Sequence, residues 1–298
     1  MEKGVRILFD KVIFLARKGF VKGYVFIEGD TVKNVGEETP LSYSFSELVY
    51  DFEYKAVITH GYSIAIAPSY YPFRGFKSLS HFDLTVFSRD EIKEFIKASF
   101  YELYLNGVTL PLIYNDPETD LVIDVARIIN IPIAIIGETD HLENYINIID
   151  NKTIYGIAIG DKIEDAVSVS RQDVCTIENL SHDCRILYLD KIFNLHATLY
   201  AITSKLGSLH RVVKLLTEPY RILNIDNGFV DKGSRADIVL YNAGKIPKAP
   251  IIDTSPEIVI ARSYHPDIVL VNGDVAIEYG ESYILNPEEI SRKIKVQQ

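Results

Sequence analysis

The sequence predicts an α/β fold, with a parallel sheet or barrel in the middle of the chain and β-structure at both ends. Three observations carry that reading. Between residues 56 and 220, short apolar runs alternate with segments of helical hydrophobic periodicity, the βαβα rhythm of a parallel sheet. Residues 1–55 and 221–298 instead alternate like strands around Gly-containing turns. Apolar residues make up 47% of the 298 positions and charged residues 24%, so the chain has enough material for a large core. At about 150 residues per domain, this length fits two domains or one large one.

Each element has a local reason. Tyr24 to Glu28 and Thr31 to Val35 flank Gly29-Asp30, a hairpin signal. Ser88 and Glu91 form a capping box, after which Ile92, Phe95, Ile96, Ser99 and Leu103 share one face until Gly107 stops the helix. Val108 to Tyr114 is an apolar strand. Asp116-Pro117 opens a second helix, Asp as N-cap and Pro at the first helical position, with Leu121, Val122, Val125, Ile128 and Ile129 buried. Strands follow at Ile131 to Ile136 and Thr153 to Ile159; Asp140 with Glu143 repeats the capping box before a helix to about Ile149, and Asp161 with Glu164 caps another helix or turn. Val174 to Glu178 and Arg185 to Leu189 read as strands, and helices are expected over 192–205 and 208–217, the second capped by Ser208. Ala236 to Tyr241 is a strand. Asp267 to Val271 and Asp274 to Glu278 form a hairpin, with Asn272-Gly273 supplying the two positive-φ residues of its turn. A charged helix over Pro287 to Lys295 closes the chain.

Charge and composition exclude some functions. A net charge of −10 disfavours nucleic acid or an anionic membrane as partner, since no basic excess exists to neutralise phosphates. The longest stretch free of Asp, Glu, Lys and Arg, Ala56 to Phe73, holds two prolines, a histidine, two serines and three tyrosines, so no membrane span is expected. The first residues, MEKGVRILFDK, mix both charge signs and lack an apolar core, which points to a cytoplasmic protein. Cys175 and Cys184 match no zinc or redox spacing and read as two reduced, buried thiols. With 40 Ile, 3 Gln, 1 Met and no Trp, the composition leans towards a thermophile.

Several segments carry a resemblance. GYVFIEGDTVKNVGE, AVITHGYSIAIAPSYYPFRGF, KASFYELYLNGVTLPLIYND, LHRVVKLLTEPYRILNIDNGFVDKGSRADIVLYN and SPEIVIARSYHPDIVLVNGDVAIEYGE together resemble the amidohydrolase superfamily, in the branch of cytosine, guanine and adenosyl-type deaminases and triazine hydrolases. The resemblance implies a TIM-type (β/α) barrel over 56–220 and a small β-sandwich composed of 1–55 and 221–298. It also implies a divalent metal such as zinc, which lowers the pKa of bound water to about 7 and so supplies hydroxide.

Two departures matter. Family members carry His-x-His at the end of the first barrel strand, where residues i and i+2 point the same way and reach one metal. Counting back from Arg74-Gly75 puts those positions at Ala65 and Ala67; counting forward from Gly61 puts them at Ile66 and Pro68. Neither register holds a histidine. The second departure is length. About 125 residues lie between the first strand and Asp190, against about 250 for a full eight-stranded barrel. A truncated or degenerate barrel is therefore expected.

The remaining candidates are few. Asp190 ends RILYLD and resembles the carboxylate on the family's last barrel strand; it serves equally well as an N-cap for the next helix. His182, His141 and His81 are fallback metal ligands, and each has a plainer use in a turn, beside a cap pair or in a loop. Arg74, Tyr70 and Tyr71 are placed to line a cleft, where Arg74 suits a carboxylate or phosphate. His60 lies upstream of the site and reads as structural. Glu138 and Asp140 cluster with His141, and Asp83 with His81. His196, His210 and His265 have no ligand spacing. The expectation is an amidohydrolase-like protein, catalytically degenerate, with no bound cofactor, acting as a small-molecule binder or partner subunit. The alternative is a divergent metal-dependent hydrolase or deaminase acting on the non-peptide C–N bonds of a cyclic amide or aminopurine-like compound. A shortened barrel leaves strand edges to cover, so an oligomer or protein partner is also expected.

Overall fold

The computed structural model describes residues 4–73, 83–189, 202–244, 256–263 and 265–294. In chain order its strands are β1 (Arg6–Ala16), β2 (Gly19–Glu28), β3 (Thr31–Gly36), β4 (Leu48–Asp51), β5 (Ala56–His60), β6 (Tyr62–Ile66), β7 (Val108–Tyr114), β8 (Ile133–Glu138), β9 (Ile154–Ile159), β10 (Val167–Val169), β11 (Val174–Cys175), β12 (Ile186–Leu187), β13 (Ile238–Asn242), β14 (Ile268–Val271), β15 (Asp274–Glu278) and β16 (Glu281–Ser282). The helices are α1 (Arg89–Leu105), α2 (Thr119–Ile128), α3 (Thr139–Glu143), α4 (Leu209–Ile222), α5 (Pro256–Arg262) and α6 (Pro287–Lys293). No described helix is long and apolar enough to cross a membrane.

Both chain ends build one nine-stranded sheet, ordered β16-β15-β14-β13-β5-β1-β2-β3, with β4 also paired to β1. In β1, Ile7 and Phe9 face the sheet's own core, and so do Val12 and Phe14. The switch in parity is made by a bulge between Phe9 and Val12, where Lys11 takes φ 49°. A bridge between Thr31 and Arg235 and the bond from the Ala236 N–H to the Asp30 carbonyl, 2.7 Å, fold the β3 edge back towards β13. The sheet thus encloses a core of its own, to which Val25, Ile27, Ile58, Ile238 and Leu240 contribute. Asn272 and Gly273, at φ 52° and 82°, make the expected turn between β14 and β15.

The second sheet is parallel, ordered β10-β9-β8-β7-β6. The Leu189 N–H donates to the Ala65 carbonyl at 2.9 Å, which adds the end of β12 to the free edge of β6, and β11 pairs with β12 in parallel. The strands are therefore neighbours in chain order from β6 to β10, and again from β11 through β12 to β6. No β10–β11 pairing joins the two runs among the described residues. Where the resemblance implies a closed barrel, the structure has a curled parallel sheet with this one step open. Its concave face is apolar: Ala65, Leu112, Ala134, Ile136, Ile157 and Ile186 form one buried cluster. Ile64, Ile66, Ile113 and Ile135 face the other way, into the layer with α1, α2 and α4. Continuous apolar runs, rather than alternation, are the mark of a sheet covered on both faces.

Most elements form where their residues predict them, and the exceptions have local causes. The Ser88–Glu91 capping box is present, with Ser88 Oγ accepting from Glu91 N and Glu91 accepting from Ser88 N. Asp116 does not cap α2 directly. That helix begins at Thr119, and Asp116 accepts from the Glu118 N–H at 2.9 Å. Asp140 and Glu143 form no capping box; α3 starts behind Glu138 without a side-chain cap. Asp161 and Glu164 lead into a turn, one of the two forms expected there, and then into β10. Ser208 precedes α4 but makes no capping bond, and α4 runs on through Pro219 to Ile222. Helix 192–205 lies mostly outside the described residues.

The reading of Cys175 and Cys184 as reduced thiols is overturned: the two form a disulfide, with Cα atoms 5.9 Å apart. The loop after β11 runs back to start β12 beside it, which brings residues nine apart within bonding reach. That return is a tertiary event with no motif in the spacing.

Candidate active site at the mouth of the parallel sheet

In parallel α/β folds the reacting groups stand at the C-terminal ends of the strands, on the loops that follow. Here that mouth is formed after β6, β7, β8, β9 and β12. At the end of β6, Ala65 is fully buried in the concave cluster and Ala67 is 2% exposed. Beside them Tyr114 and Tyr188 pack edge to face, centroids 4.9 Å apart. The polar centre of the mouth is Asp116, just past β7. Its carboxylate accepts from the Ser69 N–H at 2.8 Å, the Ser69 hydroxyl at 2.7 Å and the Glu118 N–H. It is buried, at 3% exposure, and clamps the loop after β6 to the loop after β7. Tyr70 lies beside it; burial first, and the Asp116 charge second, push its phenol up from the ordinary value. At the last residue of β8, Glu138 pairs with Arg171 at 2.6 Å on the surface, and past it the His141 ring lies against Tyr145 at 5.2 Å.

At the opposite end of the strands, a buried polar cluster joins the two sheets. Asp226 accepts from the Gly228 N–H at 3.0 Å and from the Arg235 N–H, and its carboxylate stands 3.7 Å from His60 Nε2. His60 and Asp226 side chains are 0% and 2% exposed. Burial alone lowers the imidazole pKa, but Asp226, then Asp237, outweigh it and raise the value; the same pairing lowers Asp226 against its own burial. Arg235 lies 2.8 Å from Asp237, and its Nη1 donates to the Tyr155 hydroxyl at 3.2 Å. Asp237 in turn accepts from the Asn272 N–H at 2.7 Å. Thr109 and Tyr220 share a hydrogen bond of 2.6 Å. This is the stabilising end of such a sheet, where buried charge fixes how the layers meet.

No protein-family model and no curated protein matches the sequence. Solved structures do. The chain is similar to a mutant atrazine chlorohydrolase from Arthrobacter aurescens complexed with zinc and atraton, at 13% identity and a TM-score of 0.73, with 97% of this chain and 99% of that one covered. It is similar to an adenosine deaminase from Xanthomonas campestris with bound zinc, at 8% identity and a TM-score of 0.65, covering 98% and 97%. An amidohydrolase from a Sargasso Sea sample gives 12% identity and a TM-score of 0.67, covering 97% of each. The chain has the amidohydrolase fold.

Within the amidohydrolase fold, the direction of each side chain on β6 separates the two registers for the missing histidine pair. Ala65 faces the concave side, whereas Ile64 and Ile66 face the helical layer. The inward positions are thus Ala65 and Ala67, whose methyl groups offer no donor atom. Among the described residues, no group of three or more His, Cys, Asp or Glu side chains converges. The residues present at the end of β6 therefore do not fit the metal that the resemblance implies. Asp190, Arg74 and His81 lie outside the described residues, as does His196, and the side chain of Tyr71 is not described. His182 stands before β12, at the opposite end from the mouth, 3.4 Å from Arg211; His141 stands after β8. Strand direction alone keeps these two from a common point. The sequence reading missed Asp116 as more than a cap and did not name Asp226, Arg235 or Asp237. The signals were an Asp-Pro step after an apolar strand, and charged residues set into the apolar run that enters β13.

Proposed function

We propose that this chain handles a small, planar nitrogen compound at the mouth of its parallel sheet, and that the reaction class is hydrolysis or deamination at a non-peptide C–N bond. One observation carries the reading: a likeness to triazine hydrolase, adenosine deaminase and amidohydrolase structures that extends over nearly the whole chain, composite sheet included. Asp190, the residue after the β12 segment that pairs with Ala65, is the carboxylate assigned to the attacking water. Tyr70, Tyr71 and Arg74, in the loop after β6, are assigned to the substrate. Zinc accompanies two of the similar structures and is the metal that this reading would require. Its donors would come from Asp190 and the loops, His81 and His141 among them, because β6 supplies none.

A second reading, binding without turnover, is favoured by Ala65 and Ala67. They keep the strand's packing while removing its donor atoms. A fold alone does not decide between these readings. Elemental mass spectrometry of protein purified without chelator does, together with assays on cyclic amides and aminopurines. About one zinc, iron or manganese per chain, lost in Asp190→Ala along with turnover, supports the hydrolase. Metal-free protein that stays folded in strong chelator, and is stabilised by such compounds without converting them, supports the binder.

A further inference from the structure

A cavity lies on the outer wall, away from the mouth. It measures about 580 Å³ and lies between the loop entering β12 and the exposed face of α4. Its volume is in the usual range for small-molecule sites, about 300–1,000 Å³. In α4 the buried face is Leu209, Val212, Val213, Leu216 and Tyr220, while Arg211, Lys214, Glu218 and Arg221 line the cavity. Arg185, the residue before β12, faces them. The lining holds four cationic side chains against the carboxylates of Asp183 and Glu218, on a chain whose net charge is −10.

The cations are positioned rather than scattered. Glu218, 15% exposed, takes Arg185 Nε and Nη2 on one oxygen, both at 3.3 Å, and Arg221 Nη1 on the other at 2.9 Å. One carboxylate therefore orients two guanidiniums, whose remaining N–H groups have no hydrogen-bond partner among the described residues other than Glu218. Arg211 donates to His182 Nδ1 at 3.4 Å and to the Leu206 carbonyl at 3.4 Å. An arginine only donates, so in this contact Nδ1 is the acceptor. Lys214 has no ion-pair partner among the described residues. The Cys175–Cys184 disulfide closes the loop that carries His182 and Asp183, which anchors this wall.

We propose that this cavity binds a small organic polyanion, its clustered phosphate or carboxylate oxygens seated between Lys214, Arg211 and the Glu218-clamped pair Arg185 and Arg221. Oriented guanidinium planes suit two-point recognition of such oxygens, and Lys214 adds a point charge. The inference does not depend on what happens at the mouth.

The test is titration calorimetry on the full chain at constant ionic strength, with inorganic pyrophosphate and citrate as separate probes and chloride as the control. A saturable 1:1 isotherm for pyrophosphate alone identifies a phosphate ligand; one for citrate alone identifies a polycarboxylate; either supports the site. In Lys214→Glu and Arg211→Glu the affinity falls by at least about tenfold, because each reversal replaces attraction with repulsion at contact range. Both residues are exposed, so the variants keep the wild-type melting temperature, and Lys214→Ala serves as the milder check. Absence of saturable binding by both probes, or affinities unchanged by the reversals, overturns the proposal.

Discussion

Asp226→Ala is expected to be among the most damaging single substitutions in this protein. The carboxylate satisfies two backbone donors, Gly228 N–H and Arg235 N–H, and faces the His60 imidazole, whose protonated form it favours. Neither side chain of the His60–Asp226 pair exceeds 2% exposure, so water neither replaces the lost bonds nor screens the orphaned charge. Removing one partner of a buried pair costs about 3–5 kcal/mol. At about 2–4 °C per kcal/mol for a chain of this size class, the midpoint falls by about 6–20 °C. Asp226→Asn keeps a carbonyl acceptor and loses the charge, and is expected to fall between wild type and the alanine variant.

The pH dependence carries its own sign. His60 titrates above its ordinary 6.5 and Asp226 below its ordinary 3.8. The imidazolium's contribution is therefore complete below about pH 6.5 and fades as pH rises through the raised value. The carboxylate's is complete above about pH 4 and fades as pH falls through the lowered value. The difference between wild type and Asp226→Ala is expected to be greatest near pH 5–6. Thermal and guanidinium unfolding, at fixed scan rate across pH 4 to 9, measure it. A drop under about 2 °C at pH 6, or a difference that does not vary with pH, would refute the reasoning.

Other perturbations test other parts of the structure. Cys175→Ser removes a cross-link closing a short loop, and chain entropy puts the loss at about 2–3 kcal/mol; wild type in reductant should melt at the variant's temperature, and an unchanged midpoint in both would argue against the disulfide. Gly61→Ala drives a Cβ into Thr109 Oγ1, the atom that shares a hydrogen bond with Tyr220. Overpacking of this kind costs about 1–3 kcal/mol, read as a lower denaturant midpoint with an unchanged slope. Ala65→Leu pushes a larger side chain into the filled concave cluster and should destabilise by a similar amount; a neutral result would mean that face is empty. Ser88→Ala breaks the α1 capping box, and hydrogen exchange in the first turn of that helix should quicken, for a loss of about 0.5–2 kcal/mol.

Local rules carried much of the fold. Ser88 and Glu91 cap α1 because three residues separate two groups that reach each other's backbone. Asn272-Gly273 turns between β14 and β15 because both residues tolerate positive φ. The site was less legible. Asp116 stands beside Ser69, 47 positions away, and nothing in either neighbourhood announces the other. The cationic cavity draws on Arg185 and on α4, which meet only because β12 and that helix pack together. Asp140 and Glu143 have the spacing of a cap, but the chain leaving β8 starts its helix at Thr139, and the pair falls inside it.

By itself the sequence determined the α/β class, the β-rich character of both ends, most helices and strands, and the loss of histidine at the end of β6. Those are matters of composition, periodicity and short-range hydrogen bonding, which act between residues a few positions apart. Only the tertiary structure decided that Ala65 rather than Ile66 faces inward, that Cys175 and Cys184 are joined, and that His141 and His182 stand at opposite ends of the parallel sheet. It also decided that His60, Asp226, Arg235 and Asp237 form one buried junction. These depend on strand direction and on which faces pack together. The physical reason is that side-chain convergence across long sequence separations is set by how whole layers bury their apolar surface, not by the residues that end up in contact.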